Sequence, residues 1–270
     1  MSMWINGAEA RQISADDRGL CYGDGLFETM RLHNGVIAHL ARHLARLRAG
    51  CERLALQRVD LAQIAGEITA VAATQADGVL KLIVTRGSGP RGYRPSGLEN
   101  PTRIVTWHAA RTSDAATAVS GVRARHCTTP MNENAALAGL KHLNRLDSVL
   151  ARSEWTDPEI AEGLMSDSRG CIIGGTMSNV FAVCNQTLLT PLLDRCGVSG
   201  IMRGLVIESA RAAGIVTEER NLTRADLAAA DELFLTNAVL GIWPVRALES
   251  RDYPMGPTTR TLQRILGVPV

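Results

Sequence analysis

Lysine is nearly absent from this chain: its 270 residues hold two, Lys81 and Lys141, among 29 basic side chains. Arginine keeps its proton in any protein environment, so chemistry that needs a neutral amine can fall only to those two positions. An arginine-rich composition that kept two lysines without a use for them would give the same count. Charge of one sign is scarce too. The formal net charge is +2 and no run of five or more Lys/Arg occurs, which gives no reason to expect nucleic acid or an anionic membrane as partner. The six cysteines are scattered, with no CxxC pair and no histidine at ligand spacing beside them; no metal site is expected, and they read as reduced thiols. No stretch approaches about 18 uninterrupted apolar residues. The start, MSMWINGAEARQ, lacks a basic-then-apolar leader, and the expected location is cytoplasmic. What remains is an ordinary globular composition, 46% hydrophobic and 21% charged, in a chain long enough for one large domain or two modest ones.

Asn6-Gly7 between short extended segments is the signal of a two-residue hairpin. Leu40, Leu44, Leu47, Cys51 and Leu54 recur at three- and four-residue steps, which predicts a helix face, and LAQIAGEITAVAATQA predicts a second helix. DGVLKLIVTRG and TRIVTWHA are β-branched, apolar runs and predict strands; Lys81 reads as a strand-surface residue on the first. Further on, GVRARHCTT is strand-like, the segment after Lys141 reads as helical to about Trp155, and a run of short strands covers roughly 163–192. VSGIMRGLVIESARAAG predicts a helix with Ser199 as its cap, and Thr223 with Asp226 opens another. Strands and helices mix without a regular βαβ beat, so the fold class is α+β with two sub-domains: a small one over 1–110, a linker over 111–120, and a larger one over 121–270 carrying Lys141.

Three stretches bear on chemistry. DRGLCYGDGLFETMR is a Gly-rich turn running into an apolar segment, and TRGSGPRGYRPSG is a loop whose arginines could meet a carboxylate with a planar fork. In VSGIMRG, Gly200 lets the chain turn into a helix whose first amides can hold a phosphate. Each also reads as an ordinary loop or helix start.

Taken in order with LAGLKHLNRL and the G-x-x-x-x-G-x-x-SN-x-F of 170–181, these stretches resemble the fold-type IV enzymes that use pyridoxal 5′-phosphate, the D-amino-acid aminotransferase-like fold. Within that group the chain is most similar to lyases that convert an aminated chorismate to 4-aminobenzoate and pyruvate for folate. A D-amino-acid or branched-chain transaminase is the same-fold alternative.

The resemblance implies roles residue by residue. Lys141 would join the cofactor aldehyde and shuttle the proton, and Thr29 would lie near the reacting carbon. Arg46 would pair with the phosphate, the backbone of Gly200, Ile201 and Met202 would bind it, and Asn237 with Ala238 would reach it from a second loop. Ser178 and Asn179 would stand beside the cofactor ring, and Arg91 would receive a substrate carboxylate. The family also implies a homodimer acting on a small molecule, with the RGSGPRGY loop crossing to the partner. One position departs from the pattern: where relatives carry a glutamate that pairs with the pyridine nitrogen, this chain has Gly174. A weakened lyase, or a cofactor-binding relative without chemistry, is therefore a further possibility.

Overall fold

The computed structural model describes residues 2–109 and 114–268, and the chain divides into two compact units, Met1–Arg111 with Leu140–Asn144, and Thr112–Gly139 with Arg145–Val270. The first unit contains β1 (Ser2–Ile5), β2 (Ala8–Glu9), α1 (Arg18–Tyr22), β3 (Gly25–His33), β4 (Val36–Ile37), α2 (Leu40–Arg53), α3 (Leu61–Thr74), β5 (Gly78–Thr85) and β6 (Arg103–Ala109). Its described strands form one antiparallel sheet in the order β2-β1-β6-β5-β3-β4. Asn6 and Gly7 both take positive φ in the tight turn joining β1 to β2, the backbone that Asn-Gly favours. Alternation along β3 buries Leu26, Met30 and Leu32 under α2 and turns Phe27, Thr29 and Arg31 to the other face. Asp60 caps α3, accepting from the amides of Ala62 and Gln63.

The second unit contains α4 (Asp114–Ser120), β7 (Val122–His126), α5 (Leu146–Arg152), β8 (Ile160–Ser166), β9 (Ile172–Gly175), β10 (Asn179–Cys184), β11 (Thr187–Pro191), α6 (Ile201–Ala212), β12 (Thr217–Arg220), α7 (Arg224–Ala229), β13 (Glu232–Asn237), β14 (Gly241–Leu248), β15 (Arg251–Asp252) and α8 (Pro257–Ile265). Its described strands run β12-β11-β10-β13-β14-β7-β8-β9, with β15 also on β14. The β11–β12, β14–β7 and β7–β8 pairs are parallel and the rest antiparallel. Phe181 and Phe234 stack at 4.9 Å between centroids beneath α6 and α8.

The structure differs from the sequence reading at four places. The 111–113 part of the expected linker lies outside the described residues, and 114–120 is α4. Residues 18–22 of the Gly-rich turn form α1, capped by the Asp17 carboxylate on the Gly19 amide. The helix after Lys141 begins only at Leu146, because residues 141–143 are extended along β3. That pairing groups Leu140–Asn144 with the first unit, whereas the sequence reading assigned Lys141 to the second. Last, the N-cap of α6 is Gly200 rather than Ser199, and no side chain caps it.

Candidate active site

The residues singled out from the sequence divide between the units: Thr29, Arg46, Arg91 and Lys141 lie in the first, the others in the second. In the first unit the backbone fixes Lys141. Its carbonyl accepts from the Phe27 amide at 2.9 Å, His142 bridges Leu26, and the Leu143 amide donates to Gly25 at 3.1 Å. The Lys141 Nζ then sits 4.2 Å from the centre of the Phe27 ring, which is half-buried. Thr29, two residues along β3, shares the Phe27 face.

Glu28, between them, points the opposite way and is 2% exposed. Arg46 grips it through both ends of the guanidinium, Nε to Oε1 at 2.9 Å and a second contact to Oε2, while His43 Nδ1 meets Oε2 at 2.6 Å. Burial alone would raise the Glu28 carboxyl. The bonds from His43 and Arg46 more than offset it, and the group is held below the usual carboxylate range. Arg46 thus leaves α2 with its fork already oriented.

Arg91 is exposed, in a loop whose base is pinned by Arg18 through the Gly92 and Tyr93 carbonyls at 2.8 and 2.7 Å. Tyr93, Leu98 and Leu20 stand exposed on and near this loop.

In the second unit, Glu162 organises the turn between β9 and β10. Its buried carboxylate accepts from the Thr176 amide at 3.0 Å and hydroxyl at 2.6 Å, the Met177 amide at 3.2 Å, and the Ser178 hydroxyl at 2.8 Å. Ser178 is fixed by that bond. Asn179, next to it, donates to the Val198 carbonyl at 2.9 Å and lies against Gly200, where a Cβ would fall 2.1 Å from its Oδ1. A larger residue there would displace the Asn179 side chain. Gly200 opens α6 with no side chain capping it, so the amides over Ile201 and Met202 stand ready for an anion. Asn237 shapes the loop at Ala238 by accepting from the amides of Val239 and Leu240 at 3.0 and 2.8 Å. Beside Ser178, the Thr236 hydroxyl and Trp243 Nε1 are buried without a hydrogen-bond partner in a narrow cleft. The uncapped amides at the Gly200 turn fit a phosphate group.

Gly174 lies in β9 opposite Met165, and a Cβ there would fall 2.8 Å from the Ser178 carbonyl. Glu28, His43 and Glu162 escaped the sequence reading. Their signal was present: an acid at an inward position of an alternating strand, and an acid inside the apolar run IAEGLM.

A family model for class IV amino-transferases matches residues 25–248. The chain is similar over 98% of its length to the crystal structure of 4-amino-4-deoxychorismate lyase from Pseudomonas aeruginosa, with a TM-score of 0.94 and 47% identity, covering 97% of that chain. It is 31% identical to aminodeoxychorismate lyase of Vibrio harveyi, over 96% of this chain and 97% of that one. It is also 32% identical to a Methanocaldococcus jannaschii protein described as a branched-chain-amino-acid aminotransferase, over 97% and 94%.

Proposed function

Because the chain belongs to the class IV amino-transferase family, we propose that it is a pyridoxal-phosphate-dependent lyase that converts 4-amino-4-deoxychorismate to 4-aminobenzoate and pyruvate. The likeness to the Pseudomonas aeruginosa lyase, 47% identical across nearly the whole of both chains, carries this reading. The cofactor, when bound, supplies an aldehyde for the amine and a ring that takes up electrons. Lys141 gives the amine that arginine cannot, and its Nζ removes the proton from the ring carbon bearing the substrate nitrogen. Departure of the enolpyruvyl oxygen then leaves an aromatic product. Thr29 lines the same sheet face as the Phe27 ring that carries Lys141. Arg46, oriented by Glu28, is the phosphate's charged partner. In the second unit, the amides of Gly200, Ile201 and Met202 and the Asn237–Ala238 loop receive the phosphate, while Ser178 and Asn179 stand beside the ring. Arg91, exposed on its loop, is assigned to substrate.

The same chemistry could end in transfer of the amino group, and the Methanocaldococcus relative favours that second reading. A coupled assay separates them. Pyruvate released from 4-amino-4-deoxychorismate with no amino acceptor present supports the lyase; turnover that requires a 2-oxo acid supports the transaminase.

The enzyme is proposed to be a homodimer, for which exposed Leu20, Tyr93 and Leu98 provide apolar surface around the Arg91 loop. All six cysteines are free, and burial pushes Cys127 and Cys196 up to about 12. These thiols support a cytoplasmic location. Among the described residues no helix is long and apolar enough to cross a membrane.

A further inference from the structure

The loop between β5 and β6 is tied down along its backbone while its own cations stay free. At its base, the Asp17 carboxylate accepts from the hydroxyls of Thr85 at 2.9 Å and Thr102 at 2.6 Å, and the Arg18 amide donates to the Gly87 carbonyl at 2.9 Å. At its far end, Glu99 accepts from the amides of Ser96 at 2.5 Å and Gly97 at 2.9 Å. Between these ties, Arg18 reaches in from α1. It is 3% exposed. Its Nε meets Asp24 at 3.0 Å, and its two terminal nitrogens donate to the carbonyls of Gly92 and Tyr93 at 2.8 and 2.7 Å. Tyr22, at the end of the same helix, accepts from the Gly92 amide at 3.3 Å, and its ring lies 4.9 Å from the Arg18 guanidinium and 5.4 Å from the Tyr93 ring. Asp24 also holds Arg86, so one carboxylate serves two guanidinium groups and the Arg18 fork is completed by the loop carbonyls. A planar fork sets two successive carbonyls at once, which a lysine or an apolar side chain cannot do. Arg91 and Arg94, by contrast, are exposed and make no hydrogen bond or ion pair among the described residues.

We propose that Arg18 is the positioning residue of this loop: it fixes the peptides that follow Arg91, so that the Arg91 guanidinium is presented to substrate from an ordered backbone. The inference rests on the lyase reading, which assigns Arg91 to substrate, and adds the group that holds it in place. A loop ordered in advance loses less entropy when the ligand arrives. The DRGLCYGDG stretch thereby acquires a use, since Arg18, Tyr22 and Asp24 together make the clamp.

Arg18→Lys tests this. It keeps a cation for Asp24 but puts a single ammonium on a flexible stem in place of the fork. Hydrogen exchange over residues 87–97 should quicken in this variant, while exchange over α2 and α3 stays as in the wild type. The KM for 4-amino-4-deoxychorismate should rise roughly tenfold, the range for loss of one charge-assisted bond, with kcat and the affinity for pyridoxal phosphate unaltered. Tyr22→Phe, which removes one anchor and keeps the ring, should move exchange and KM in the same direction by less. Added to Arg91→Gln, Arg18→Lys should raise KM no further, because it acts through Arg91. Unaltered exchange in both single variants overturns the inference, and so do KM losses that add in the double variant. A fall in kcat and cofactor affinity alongside the KM change also overturns it, since Arg18 would then be a scaffold residue. If exchange quickens in Arg18→Lys but the wild type releases no pyruvate, the lyase reading fails and the clamp on the loop stands.

Discussion

Gly174 is the one position where this chain gives up a group that its resemblance leads one to expect. A carboxylate there would keep the pyridine nitrogen protonated. At an effective dielectric near 20 and about 4 Å, that pair is worth on the order of 4 kcal/mol, an upper limit of roughly a thousandfold in rate. Gly174→Glu should therefore raise turnover measured at saturating cofactor. It should also lower the melting temperature, because the new Cβ falls 2.8 Å from the Ser178 carbonyl and relieving such overpacking costs about 1–3 kcal/mol. A variant that binds cofactor normally and gains no activity would show that the ring-nitrogen partner does not limit this protein. Glu162, a buried acid on β8, is engaged by Thr176, Met177 and Ser178. It supports the turn and is not a substitute. The scarcity of lysine narrowed the amine to two positions, and the resemblance chose Lys141 between them; what packs against Lys81 did not follow, because period-two alternation assigns a face and not what packs on it.

At the scale of elements, α2 and β3 act together. Glu28 on the strand and His43 and Arg46 on the helix form one buried group, so the guanidinium reaches its ligand with little freedom to lose. Arg46→Ala should weaken cofactor affinity roughly ten- to hundredfold, and Glu28→Gln should weaken it less, in the same direction; spectral titration with pyridoxal phosphate reads both. Unchanged affinity would reduce Arg46 to a cover for its helix. The carboxyl of Glu28 is held low when folded, so its contribution to stability is present above the unfolded value, about 4.3, and is lost as pH falls through the folded one. Acid unfolding of Glu28→Gln should accordingly be less steep than that of the wild type. Much at this scale was legible beforehand. The Asn6-Gly7 turn, the two helices after residue 39 and the Thr223–Asp226 capping box all appear in the structure, each set by short-range chemistry. The short α1 and the extended 141–143 segment were not legible. Both depend on partners far along the chain: Asp17 is tied to Thr85 and Thr102, and Lys141 to Phe27.

For the whole molecule, the proposed dimer should be visible by sedimentation, and charge introduced at the exposed apolar residues, as in Leu98→Asp or Tyr93→Asp, should weaken association without unfolding the protomer. Full activity from a species that stays monomeric at assay concentration would refute that assembly. The account as a whole turns on one amine in a chain that has two lysines. Borohydride reduction of the protein loaded with pyridoxal phosphate, followed by peptide mapping, tests it most directly. The label is predicted on Lys141, within the 137–152 segment, and absent from Lys141→Ala; a label on Lys81, or none on Lys141, would contradict the account.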